Sequence, residues 1–321
     1  MQKLSLCLSL SVVSASASVH AETLFVTLEK DNAIAVVDAV EGQLIKTVNV
    51  GQRPRGIAVS PDAKTVFVAT SDDDTIKLLD AESLKEIGRL PSGEDPETFA
   101  LSADGKRMYV SNEDDAEVTV IDIQSKKALN KIKVGVEPEG IATSPDGQWT
   151  VSASETTNML HWIDNRNGNI VENTLVDPRP RAAVFTADSQ QLWATSEMAG
   201  TLSILDSTTK QILHTVSLDV PGVSSDLIQP VGVVVDKQRR YGYVALGPAN
   251  RVAVIDAQTY KVEKFLLVGQ RVWNLAFSPD QSRLYTTNGV SNDISIIDLN
   301  AHKVIKSLAV GRYPWGVAVK P

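Results

Sequence analysis

Thiols and imidazoles are scarce in this sequence. Its 321 residues include one cysteine, Cys7, and four histidines, His20, His161, His214 and His302. A lone thiol excludes an internal disulfide, a Cys-x-x-Cys-His haem attachment and a dithiol redox pair. The histidines beyond residue 21 fall in different segments without metal-ligand spacing, and no Ser-His-Asp order stands near a candidate oxyanion hole. No metal site is expected. Long apolar runs are missing too. The apolar stretch at residues 4–13 is shorter than the roughly 20 residues of a membrane-spanning helix, so no membrane insertion is expected. Positive charge is in deficit: 31 Lys and Arg face 39 Asp and Glu, a formal net charge of −8. That balance speaks against a nucleic-acid partner, which calls for a basic surface.

The first 21 residues read as a removable secretory leader. Met1-Gln2-Lys3 is a short basic start, residues 4–13 are apolar, and Val19-His20-Ala21 is a small-x-small cleavage site. Cys7 lies inside it, preceded by Leu6 rather than the small residue a lipoprotein needs. The expectation is an exported, periplasmic, soluble chain beginning at Glu22, free of cysteine and carrying a net −9 once Lys3 is gone.

What the chain has in abundance is repetition. A glycine ahead of a Pro-containing turn recurs at Gly51, Gly93 and Gly135, is replaced by Asp177, and returns at Gly269 and Gly311. The steps from 51 to 177 and from 269 to 311 are 42 residues each. An insertion lengthens the step after Asp177 to 50, ending at an anchor near 227 that precedes Pro230. Each unit holds four short β-branched and aromatic runs separated by Pro, Asp, Gly and Ser. In the unit from Gly51 they are residues 56–60, 65–70, 75–79 and 85–90. This period and composition predict an all-β, seven-bladed β-propeller with four-stranded blades, strands a to d running outward from the channel. The last unit, residues 311–321, is too short and is completed by residues 22–50. The ring is therefore expected to close through a composite blade, making 22–321 one domain with units starting near 51, 93, 135, 177, 227 and 269, and a monomer.

Repeated positions are read as scaffold. Asp38, Asp80, Asp122, Asp164, Asp206, Asp256 and Asp298 each end strand c, where a carboxylate can accept from the amides of the following turn. Ser60-Pro61-Asp62, Ser144-Pro145-Asp146-Gly147 and Ser278-Pro279-Asp280 are tight a–b turns.

Tyr109-Val110-Ser111-Asn112, Ile121-Asp122, Val134-Gly135, Pro138-Glu139-Gly140 and Ser144-Pro145-Asp146-Gly147 resemble the YVTN-type β-propeller repeat. The leader, the length and Val50-Gly51-Gln52-Arg53-Pro54-Arg55-Gly56 are similar to a subfamily, the PQQ-dependent catabolism-associated propellers. The resemblance implies work beside periplasmic quinoprotein alcohol oxidation, with pyrroloquinoline quinone (PQQ) as a candidate bound ligand. It implies no catalytic residues.

Candidate site residues come from positions where the repeat breaks. The residues flanking the turn proline, or Val272 in its place, are Arg53 and Arg55; Asp95 and Glu97; Glu137 and Glu139; Arg179 and Arg181; Gln229 and Val231; Arg271 and Trp273; Tyr313 and Trp315. They are expected to ring one channel mouth on the face of the d–a and b–c loops. Arginine forks suit carboxylates and tryptophan faces suit planar rings. The sector Arg271, Trp273, Tyr313, Trp315, Arg53, Arg55 therefore suits a flat, multiply anionic ligand, opposite an acidic sector of Asp95, Glu97, Glu137 and Glu139. The competing reading is a rim of self-satisfied ion pairs, with Trp273 and Trp315 packed on each other. Asp72, Asp73, Asp74, Glu113, Asp114, Asp115 and Glu117 form an acidic lobe suited to a basic partner protein. The expected function is non-catalytic: binding an anionic aromatic ligand or a redox partner, a periplasmic dehydrogenase or cytochrome. The alternatives are a pure interaction module joining a dehydrogenase to its electron acceptor, a lyase or hydrolase using Glu137 or Glu139 as base, and single-strand nucleic-acid binding through Trp273, Trp315 and the arginines, which the negative charge opposes.

Overall fold

The computed structural model describes residues 22–320. The leader expected at residues 1–21 lies outside the described residues. Seven antiparallel sheets of four strands each surround a channel. In the unit from Gly51 the strands are Pro54–Val59, Thr65–Thr70, Thr75–Asp80 and Glu86–Pro91, in spatial order from the channel outward. The composite blade forms as expected. Strand a, Pro314–Lys320, pairs with Thr23–Leu28, and Ala33–Asp38 and Gln43–Asn49 follow outward. No described helix is long and apolar enough to cross a membrane.

Alternating side chains on strands a to c fill the spaces between blades, so each core cluster joins two sheets. Phe25, Ile34 and Val36 pack on Val66, Val68 and Leu79. Trp193, Leu202 and Ile204 pack on Val244, Ala253 and Ile255. Leu24, Val26 and Leu28 of the composite blade pack on Tyr285, Ile294 and Ile296. Strand d carries the polar edge; Gln43–Asn49, for example, is almost wholly exposed. The seven aspartates close strand c in all seven blades. Their carboxylates accept amides of the next turn, as from Val40 and Glu41 to Asp38 at 2.9 Å and from Ser83 to Asp80 at 2.8 Å.

The pairing of strands a and b is irregular in a way that matters for the mouth. Pro54 faces Thr70, but the next partners are Ile57 and Val68, so strand a carries one extra residue. The same bulge follows Pro96, Pro138 and Pro180, and Val272 in the sixth unit. A bulge bends its strand and re-aims the side chain it frees. Here it frees the residue after the turn proline.

The following residue is small or polar: Gly56, Thr98, Gly140, Ala182, Gly232, Asn274 and Gly316. At these positions neighbouring blades touch backbone to backbone. A Cβ on Gly316 would stand 2.5 Å from the Arg55 carbonyl oxygen, and one on Gly232 2.7 Å from that of Trp273. The carbonyls receive donors from the preceding blade: Thr27 Oγ1 to Arg55 at 2.8 Å, Thr195 Oγ1 to Val231 at 2.7 Å, and Thr287 Oγ1 to Trp315 at 2.6 Å. The Gly232 amide donates to Trp273 at 2.9 Å, and Thr98 Oγ1 donates to Glu139.

A chain truncated after Pro314 loses the innermost strand of the composite blade. Its thermal unfolding is expected to lose cooperativity; a melting curve matching the full chain would refute closure through the termini. Gly316→Ala tests the contact within that strand. It is expected to destabilise by about 2 kcal/mol, as for overpacking against rigid neighbours, measured by denaturant unfolding.

Candidate functional site

The two residues flanking each turn proline play different structural parts. The first lies in the left-handed backbone region: Arg53, Asp95, Glu137, Arg179, Arg271 and Tyr313 have φ between 47° and 63°. A non-glycine residue there costs on the order of 1 kcal/mol, so each must be held. The amides of Arg53, Arg179, Arg271 and Tyr313 donate to Asn32, Asn158, Asn250 and Asn292 Oδ1 at 2.8–3.0 Å. Asp95 donates to Asp74 Oδ1 at 2.9 Å. The second residue sits in the bulge and turns toward the channel; Glu97, Glu139, Arg181, Val231 and Trp315 are all buried.

A third ring completes the mouth, and most of it escaped the sequence reading. It is the first residue after strand b in six blades, Glu29, Ser71, Glu113, Glu155, Glu197 and Gly289, and the matching Gly247 two residues beyond the shorter strand Tyr241–Ala245. These positions follow the repeat spacing, so the subtraction that found the proline-flanking residues also reaches them. Only Glu113 was singled out, and as part of the acidic lobe. The amides of Glu29, Ser71, Glu113, Glu155, Glu197 and Gly289 donate to the carbonyls of Tyr313, Arg53, Asp95, Glu137, Arg179 and Arg271 at 2.8–3.1 Å. Each b–c loop is thereby tied to the d–a loop of its own blade.

The side chains interlock across blades. Arg53 reaches Asp95 at 2.9 Å and Glu97 at 2.6 Å, and Arg55 contacts the other Glu97 oxygen. Arg181 binds Glu139 at 2.8 Å and Glu155 at 2.7 Å, with Glu197 at 3.4 Å. Arg179 bridges Glu155 at 2.8 Å and Glu197 at 3.0 Å. Of the two sequence readings, the ion-paired rim describes these four arginines. Arg271 differs. No carboxylate lies within 4 Å of it among the described residues, and its guanidinium stacks on the Trp273 ring at 4.6 Å. Trp273 is flanked on another side by Arg181 at 6.0 Å, and its indole N–H has no hydrogen-bond partner. Trp315 is packed beneath Arg55, 5.4 Å from the guanidinium. The two tryptophans make no ring–ring contact among the described residues, because Trp273 is engaged by arginines.

Arg53, Arg55, Glu139, Arg179, Arg181, Arg271 and Trp273 line one cavity of about 330 Å³ with Glu113, Glu155, Glu197, Met198 and Gln229. Below it, Glu139, Arg181 and Trp315 continue into a channel space of about 160 Å³. The remaining candidates stand apart. Glu137 faces outward and takes a hydrogen bond from Thr156. Asp95 holds the outer side of Arg53, and Tyr313 lies at the rim with Lys30 5.8 Å over its ring.

The acidic lobe is smaller than expected. Glu113 turns into the cavity. Glu117 begins strand c and pairs with Lys131 at 3.2 Å and Lys133 at 2.9 Å. Asp73 and Asp115 accept loop amides from Gln52 and Glu94. Asp72, Asp74 and Asp114 are exposed, although Asp72 pairs with Arg53 at 3.3 Å. Asp95, Glu97 and Glu113 bring carboxylate oxygens within 4.8 Å of one another, but the Arg53 guanidinium already serves two of them. His161 is structural: Nε2 accepts the Gly135 amide at 2.8 Å and Nδ1 pairs with Asn173 at 2.6 Å.

Burial dominates the electrostatics. It raises Glu139 to about 8 against the pull of Arg181, and pushes Glu97 well above the ordinary carboxylate range against that of Arg55. Burial also opposes the charge on Arg181, but Glu139, Glu155 and Glu197 outweigh it and hold the guanidinium above its usual value.

The family model for the Cytochrome D1 heme domain matches residues 67–174, less than half of the chain. A search of curated proteins finds no match. Among solved structures, Kuenenia stuttgartiensis hydrazine synthase superposes with a TM-score of 0.79 at 21% identity, over 86% of this chain and 92% of that one. A functionally unknown protein from Desulfotomaculum acetoxidans gives 0.79 at 15% identity, over 92% and 98%. Dihydro-heme d1 dehydrogenase NirN, solved in complex with DHE, gives 0.66 at 18% identity, over 89% and 63%. At these identities the likeness is one of fold, and the fold is the β-propeller.

Arg181→Ala leaves Glu139, Glu155 and Glu197 without their shared guanidinium. A loss of about 3–5 kcal/mol is expected, as for removing one partner of a buried ion pair. Denaturant unfolding measures it; a change within experimental error would mean that the cluster is hydrated and not held by Arg181.

Proposed function

We propose that this chain is an exported, periplasmic, non-catalytic binding propeller whose mouth holds a planar aromatic ligand bearing carboxylates. The observation that carries this reading is the Arg271–Trp273 pair. It offers an arginine with no carboxylate partner, backed by the Trp273 ring, on the lip of one cavity. A planar ring laid over the Arg271–Trp273 stack can place a carboxylate at Arg271 without breaking an existing ion pair. The cavity lining holds arginines, glutamates, Met198, Gln229 and Trp273. Those groups suit binding and orientation; no lining residue is a cysteine, serine or histidine nucleophile.

Two sources share this ligand chemistry. A tricyclic quinone tricarboxylate, PQQ, follows from the resemblance to PQQ-associated propellers and would place the protein beside quinoprotein alcohol oxidation. A carboxylated tetrapyrrole is supported by the family match to a heme d1 domain and by NirN, whose structure holds DHE. A second reading, docking of a periplasmic dehydrogenase or cytochrome, rests on the rim. Val136, Met198, Leu227, Val290 and Tyr313 are exposed apolar groups on the same face as Asp72, Asp74 and Asp114, a pattern that suits a partner with a basic border around an apolar patch.

Quenching of tryptophan fluorescence distinguishes the sources. PQQ and protoporphyrin IX are titrated separately into the mature protein, and the source that quenches saturably is the ligand class. Arg271→Ala is expected to weaken binding about tenfold or more, and Trp273→Phe to remove most of the quenching. Equal affinity in the wild type and both variants would remove the ligand from this mouth.

A further inference from the structure

The charges turned inward at the mouth do not balance. Six carboxyl groups, Glu29, Glu97, Glu113, Glu139, Glu155 and Glu197, share four guanidinium groups, those of Arg53, Arg55, Arg179 and Arg181. Asp95 adds a further negative charge on the outer side of Arg53. Glu97 is fully buried, and Glu139, Glu155 and Glu197 are nearly so. Burying an uncompensated carboxylate costs far more than protonating it.

The excess carboxyls are not scattered. Carboxylate oxygens of Glu97 and Glu113, on the second blade, lie within 4.8 Å of each other, and Glu139 and Glu155, on the third, are both bound to the Arg181 guanidinium, at 2.8 and 2.7 Å. Like charges at that separation cannot both persist, so such a pair takes up one proton in common. One proton in each pair brings the seven carboxyls, Asp95 included, into balance with five guanidinium groups, Arg271 included.

The same wall also carries a free cation. Arg271 lines the cavity with no carboxylate within 4 Å among the described residues, and an anionic ligand is what it lacks.

We propose that the mouth stores two protons, one shared by Glu97 and Glu113 and one by Glu139 and Glu155, and that these protons license the binding of an anionic ligand. This rests on the ligand reading above. With both pairs protonated, five guanidinium groups, Arg271 included, match five charged carboxylates, Asp95 included, and no uncompensated negative charge opposes an anion. When a pair loses its proton to solvent base, a carboxylate faces the ligand and repels it.

Groups from every neighbouring element bear on these pairs. Glu139 faces Arg181, Glu155 and Arg55. Glu97 faces Arg55, Glu139, Arg53 and Glu113. Glu197 reaches the cluster through Arg181, and Glu29 through Arg55. Burial places the Glu139 titration near 8, and it also raises Glu113. The sign follows: ligand affinity is full below about 8 and falls as pH rises through it, by at most about tenfold per pH unit for each proton.

Two measurements test the proposal. Infrared spectroscopy of the ligand-free protein at neutral pH reads the carbonyl stretch of protonated carboxyl groups. A band that Glu139→Gln and Glu155→Gln each diminish, and that titrates away in alkali, is expected. No band, or one that neither variant changes, overturns the stored protons. Titration of PQQ or protoporphyrin IX from pH 6 to 9 reads the licence. The wild type is expected to lose affinity above about 8 and Glu139→Gln to lose the larger part of that dependence. Affinity independent of pH, or a dependence unchanged in Glu139→Gln, overturns it. If neither compound binds, the licensing role falls together with the ligand reading. The infrared band then shows which premise was at fault: present, the choice of ligand; absent, the carboxyl pairs.

Discussion

Seven innermost strands must converge without colliding, and the rest of the molecule follows from how they do so. The contact is one peptide wide. In each blade the carbonyl beside the bulge residue is approached by the small residue of the blade before it, as at Gly316 and Arg55 or Gly232 and Trp273. Threonine hydroxyls at Thr27, Thr195 and Thr287 satisfy several of those carbonyls from behind. Backbone this tightly approached has no room for side chains in the ring itself. The bulge therefore drives the preceding side chain upward into the mouth, whatever its chemistry. Arginine, glutamate and tryptophan are gathered at one place by a packing constraint that concerns glycine and threonine.

That gathering creates an electrostatic problem, which the mouth solves only in part. Arg53, Arg55, Arg179 and Arg181 are taken up by neighbouring carboxylates. Buried ion pairs of this kind add little net stability, because desolvation offsets their attraction. They do fix geometry: each guanidinium is held between blades and cannot swing. The unmatched parts then stand out against a rigid background. They are Arg271 with Trp273 on one side and the carboxyl pairs on the other.

Much of the fold was legible in the sequence because the fold is repetitive. A 42-residue period, the Asp at the end of strand c and the split last unit each follow from local chemistry repeated in register. The candidate ring was partly legible for the same reason, since positions that depart from a repeat are visible in a single chain. Glu29, Glu155 and Glu197 were overlooked although they obey the same spacing. They sit one residue beyond strand b, where a polar residue reads as an ordinary loop start. The orientation of Glu137 and Tyr313 was not legible at all. Both share a left-handed backbone with Arg53, Arg179 and Arg271, which line the cavity, so local conformation does not say which side chain enters it.

The sequence by itself determined the number of blades, the four strands in each, the closure through both termini and the residues that break the repeat. These depend on hydrophobic alternation and turn chemistry, which act within a few residues of chain. Only the tertiary structure decided which arginines are spent, that the two tryptophans pack on arginines and not on each other, and that six glutamates gather around four arginines. These depend on side chains brought together from different strands and blades, set by a bulge and a ring of close backbone contacts that no local pattern encodes.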